Sequence, residues 1–181
     1  MNTSLLKNNP ELKQAFEFVL SNEDTQLYIS DIIKLILEDN LSRTNIKIIL
    51  DNYNIKGLHD IKLELIDLLL FYIKRILNDH VITANEKRNV EILKILFKIR
   101  EGDFIKYRPF EIGDILHRQF ETLYIDNHID SNEAIYNFEL QDMFDLSYQQ
   151  FDKFKEKEIK EAIKRGADIL KLDTALSWRK I

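Results

Sequence analysis

Four glycines and two prolines are all that punctuate 181 residues. A chain with so few turn-formers cannot supply the frequent tight turns of a β-sandwich or barrel. Helices joined by a small number of loops are what remains. Hydrophobic residues make up 45% of the chain and charged residues 31%, enough apolar material for a packed core and too much for a disordered chain. The expectation is an all-α, compact helical bundle of seven to nine helices with no sheet.

The apolar periodicity divides this expectation into segments. Asn9-Pro10 reads as an N-cap followed by proline at the first helical position, with Leu12, Phe16, Val19 and Leu20 behind it. A second helix is expected from about Thr25 to Glu38, and a third after Ser42, ended by Gly57. Ile61, Leu65, Leu68, Leu69, Tyr72, Ile73 and Ile76 give the next helix a wide apolar face. Thr83-Ala84-Asn85-Glu86 is a capping box, and Gly102 is the expected stop of the helix it opens. Pro109 opens another helix; Asp130-Ser131-Asn132-Glu133 and Ser147-Tyr148-Gln149-Gln150 are two further cap signals. Gly166 interrupts the last charged helix.

Two of these breaks match at a constant offset of 47 residues. Asp79, Ile82 and Glu86 correspond to Asp126, Ile129 and Glu133. Six apolar positions flanking them correspond as well, among them Leu69 with Leu116 and Phe97 with Phe144. The pattern reads as two helix–turn–helix units, with the isoleucine of each turn buried at an equivalent place. The Asp-x-x-Ile-x-x-x-Glu motif, occurring twice, resembles the signature of the TerB-like family, named for a tellurite-resistance protein. The resemblance covers roughly residues 58 to 155, with His80 and Asn127 where that family commonly has glycine. It implies a non-enzymatic, all-helical domain acting in stress-response or membrane-associated assemblies, with acidic clusters that bind divalent metal. The expected organisation is an N-terminal helical segment (1–57), the repeat domain (58–155) and a charged C-terminal helix (156–181) packed on it.

Charge is unevenly spread along the chain. No Lys or Arg occurs between Arg118 and Lys153, whereas Glu121, Asp126, Asp130, Glu133, Glu139, Asp142 and Asp145 all fall in that stretch. Such a field repels phosphates and attracts a basic protein surface, so these seven residues are the candidate partner-binding set and nucleic acid is not an expected partner. The competing reading is an ordinary solvated acidic face. The basic residues from Lys153 to Arg165 alternate with Glu156, Glu158 and Glu161 and read as an exposed helix held by i,i+4 pairs, Glu156–Lys160 and Lys157–Glu161. Trp178 reads as a packing anchor.

Several chemistries are excluded or disfavoured. Without cysteine there are no disulfides, thiolate zinc sites, iron–sulfur clusters or cysteine nucleophiles. No glycine-rich phosphate loop, His-Glu-x-x-His or nucleophile elbow occurs, so no enzymatic activity is expected. The longest apolar run, Leu68 to Ile73, falls far short of the roughly 20 residues of a membrane-spanning helix. With no signal-peptide pattern at Met1, the cytoplasm is the expected location. Asp79, Glu86, Asp126, Asp130 and Glu133 form a candidate metal set whose oxygens suit Ca²⁺ or Mg²⁺. Helix capping accounts for the same spacing without a metal and is preferred. Asp114, His117 and Glu121 share one helix face, but no second His-Glu set exists to build a di-iron bundle, and His117–Glu121 reads as a surface ion pair. Three functions fit these features: an adaptor of TerB-like type, an immunity or antitoxin protein that neutralises a basic toxin, and a divalent-metal-binding protein.

Overall fold

The computed structural model describes residues 10–21, 24–126 and 128–172, with the side chains of 169 and 170 left aside. Asn9, Asn127 and Trp178, which carried expectations above, lie outside the described residues. The fold is all-α. Eight helices have ten or more residues: α1 (Pro10–Leu20), α2 (Leu27–Leu37), α3 (Arg43–Asn52), α4 (Lys62–Ile76), α5 (Ala84–Phe97), α7 (Pro109–Leu123), α8 (Ser131–Met143) and α9 (Tyr148–Lys164). Two are short: α6 (Asp103–Tyr107) and α10 (Ile169–Leu172). No strand occurs among the described residues, and no described helix is long and apolar enough to cross a membrane.

Contacts divide the chain into two compact units, Met1–Arg100 and Glu101–Ile181. The division falls between the two expected helix–turn–helix units, not near residue 57 or 155. In the first unit α4 is the central element and packs on α1 and α5, while α2 bridges α1 and α3. Its core is built on Leu12, Phe16, Ile32, Ile36, Leu65, Leu69 and Ile73, all fully buried. In the second unit α7 is central and packs chiefly on α9 and α6. Phe104, Phe120 and Phe144 are fully buried there, with Phe120 edge-on to Phe151 and Phe104 edge-on to Phe144.

The starts of the helices follow the caps read from sequence. Ser42 Oγ accepts from the Asn45 N–H, and all three capping boxes, Thr83/Glu86, Asp130/Glu133 and Ser147/Gln150, close in both directions. The ends differ from expectation. Gly57 does not stop α3; Asn54, at φ 55°, makes the left-handed turn and Ile55 N–H returns to Leu50 O. Gly102 does not stop α5; Lys98, at φ 54°, does so, and Ile99 N–H returns to Lys94 O. Gly102, at φ 81°, is instead the residue before α6. The same left-handed stop ends α8 at Asp145 (φ 52°), with Leu146 N–H bonded to Gln141 O.

The 47-residue offset recurs in these details. Helix α4 and helix α7 are offset by it at both ends, as are Lys98 and Asp145. Asp79 accepts from Val81 N–H, and Asp126 from His128 N–H. A buried polar bridge also recurs with its roles exchanged: Asn89 Nδ2 donates to Tyr72 Oη at 3.4 Å, and Tyr136 Oη donates to Gln119 Oε1 at 2.7 Å. The correspondence ends at the turn isoleucines. Ile82 is buried, but Ile129 is only half-buried, and its N–H is drawn to Lys171 O. The packing around the central helices also differs, since α4 leans on α1 and α7 on α9.

Candidate functional site

The seven acidic residues do not form one patch. Asp126, Asp130 and Glu133 gather at the start of α8, and Asp142 and Asp145 at its end. Thirteen helical residues span about 20 Å, so the two groups are separate features. Glu121 lies on α7 beside His117, and Glu139 is half-buried on α8.

At the start of α8 the carboxylates serve the backbone. Asp130 Oδ1 accepts from Asn132 N–H (2.7 Å) and Glu133 N–H (2.8 Å), and Glu133 Oε2 accepts from Asp130 N–H (2.9 Å). The first set behaves alike: Glu86, only 6% exposed, accepts from both the N–H and the hydroxyl of Thr83. Asp79, Glu86, Asp126, Asp130 and Glu133 thus each hold a local backbone N–H. Among the described residues, none of these five belongs to a convergent group of three ligand side chains.

The end of α8 is different in kind. Glu101, Phe138, Gln141, Asp142, Asp145 and Leu146 line a cavity of about 220 Å³. Gln141 Nε2 is held by Leu146 O, which fixes the rim. Two features make this cavity receptive to a cation. Its wall carries three carboxylates, and it lies at a helix C-terminus, the negative end of the helix dipole. Helix α8 has no basic residue in its last turn and places Asp142 there, against its own dipole. The outer face of α8 is also unusual. Tyr136, Leu140 and Met143 are buried, yet Ile135 and Phe138 on the other side are 59% and 65% exposed. Glu101 and Phe138 were not among the residues singled out from sequence. Glu101 lies outside the Lys/Arg-free stretch, and a single exposed phenylalanine has no sequence signature distinct from a core one.

A second cluster joins α7 to α9. His117 Nε2 lies 3.3 Å from Glu121 Oε1, the expected ion pair, while His117 Nδ1 lies 2.8 Å from Glu158 Oε1. Asp114, the third residue of that helix face, turns instead to Arg118 at 2.8 Å. Elsewhere on α9 the Glu156–Lys160 pair forms, whereas Glu161 takes Lys164 as its partner in place of Lys157. Hydrogen bonds from those lysines hold both exposed carboxyls below the usual carboxylate range. Lys155 is buried against the Phe151 and Tyr148 rings and lies 3.4 Å from Asp152, so it is not part of any basic surface.

Comparison with protein-family models, with curated proteins and with solved structures finds no match for this chain.

Proposed function

We propose that this protein is a non-enzymatic cytoplasmic adaptor of TerB-like type, acting in a stress response by binding a basic protein surface. The observation that carries the reading is the cavity at the end of α8, with Glu101, Asp142 and Asp145 around it and Phe138 beside it. A Lys or Arg side chain entering this cavity meets three carboxylates and a helix C-terminus, and its aliphatic stem lies against the Phe138 ring. Exposed Ile135 and Phe138 supply the apolar contact that a rim of charge alone lacks. The acidic residues at the start of α8 add to the field that steers encounter, while their oxygens cap the helix.

The same surface would serve an immunity protein, and the nature of the captured partner separates the two readings. A pull-down from the native host compares the wild-type chain with an Asp142→Lys/Asp145→Lys variant and with Phe138→Ala. The expected partner has a basic surface, is retained by wild type, and is lost by both variants. A secreted or toxic effector among such partners favours immunity; a stress or transport component favours the adaptor. A partner that both variants retain would contradict the assignment of this surface.

A further inference from the structure

We propose that His117, Glu121 and Glu158 bind a divalent transition-metal ion, with Zn²⁺ the best chemical fit. One imidazole nitrogen and two carboxylate oxygens from these residues lie within 4.8 Å of one another. The group spans two helices: His117 and Glu121 are one turn apart on α7, and Glu158 comes from α9. The two helices meet one turn earlier, at Gly113 of α7 and Phe154 of α9. The Phe154 ring lies 3.4 Å from the place a Cβ at Gly113 would occupy, and His117 and Glu158 each follow one turn later on their helices.

An independent observation marks this as more than an exposed ion pair. Glu158 is 8% exposed, and its Oε1 is buried and accepts no hydrogen bond. His117 Nδ1 is 2.8 Å from it, in a contact that lacks hydrogen-bond geometry. Lys157 Nζ lies 3.8 Å from it, on a side chain 70% exposed. A carboxylate removed from water needs a strong partner. Neutral histidine and two carboxylates carry a charge of −2, which a divalent ion cancels. The mixed nitrogen and oxygen donors select a first-row transition ion over Ca²⁺ or Mg²⁺, which take oxygen ligands. Three protein ligands leave the remaining position to water, and His117 and Glu121 must turn toward Glu158 to close on an ion at about 2.0–2.2 Å.

The test is isothermal titration calorimetry of the full chain with ZnCl₂, with circular dichroism confirming the fold of each variant. Wild type is expected to bind one equivalent. His117→Gln and Glu121→Gln are each expected to weaken binding roughly tenfold or more. Glu121 has a side chain 58% exposed, so its substitution does not threaten folding. His128→Asn, at an exposed histidine outside the cluster, should change nothing. Cobalt provides a second readout: wild type should show visible ligand-field bands that His117→Gln removes. Absence of zinc binding overturns the proposal. So does zinc binding that either His117→Gln or Glu121→Gln leaves unchanged, since the ion would then sit elsewhere or use fewer ligands.

Discussion

Replacing Asp130 and Glu133 distinguishes helix capping from metal binding at the start of α8. The Asp130 carboxylate takes two backbone N–H groups at 2.7 and 2.8 Å, and it stands at the positive end of the helix dipole. Asp130→Ala removes both bonds, but the site is exposed and water replaces part of the loss. The expected cost is about 1–2 kcal/mol. Asp130→Asn keeps the acceptor and loses only the charge, for about 0.5 kcal/mol. Glu133→Gln preserves the acceptor for Asp130 N–H (2.9 Å) and should cost less than about 0.5 kcal/mol. For a chain of this length each kcal/mol moves the melting temperature by about 2–4 °C, so calorimetry resolves the three variants. Wild type and Glu133→Gln should melt identically with and without millimolar Ca²⁺ or Mg²⁺. The reasoning fails if Glu133→Gln is as damaging as Asp130→Ala, or if wild type gains a calcium-dependent stability that Glu133→Gln abolishes.

Further expectations concern the core, the exchanged polar bridge and acid stability. Phe120→Ala empties a fully buried site between Tyr124 and Phe151 and should cost about 3–5 kcal/mol by chemical denaturation. Tyr136→Phe removes a buried 2.7 Å bond, and Tyr72→Phe a weaker 3.4 Å one; the first should cost about 1 kcal/mol and more than the second. Equal losses, or a larger loss at Tyr72, would contradict that ranking. The Asp31 carboxyl is held below the usual carboxylate range, first by the hydrogen bond from Lys34 and then by that from Tyr53. Its contribution to stability is present above the unfolded-state pKa and lost as pH falls through the lowered folded value. Asp31→Asn should therefore narrow the stability difference between neutral and acid pH, as read by denaturation curves across that range.

The legibility of the fold depends on how local each signal is. Helix positions and starts were readable because apolar period and capping chemistry are contained in four to fifteen consecutive residues. Pro109 at the first position of α7 and the box at Thr83/Glu86 are examples. The sequence points to Gly57 and Gly102 as helix ends, since glycine enters the left-handed region without strain. The chain instead uses Asn54, Lys98 and Asp145 there. Asn and Asp tolerate that conformation, but a lysine gives no advance sign of it. Tertiary placement was least readable. The cavity needs Glu101, a residue more than thirty positions before Phe138, and the His117 cluster needs Glu158 from a helix whose charges looked uniformly solvated. Which glutamate of α9 is buried depends on the packing of α9 against α7; on the same helix Glu156 is exposed and Glu161 half-buried.

Titration of the ¹⁵N-labelled chain with a short arginine-rich peptide, followed by backbone amide shifts, tests the acidic pocket most directly. The account predicts saturable shifts centred on Phe138, Asp142, Asp145 and Leu146, weakened by added salt and abolished in Asp142→Lys/Asp145→Lys. Shifts that are absent, that centre on Asp126–Glu133 at the other end of α8, or that survive in the charge-reversed variant would contradict it.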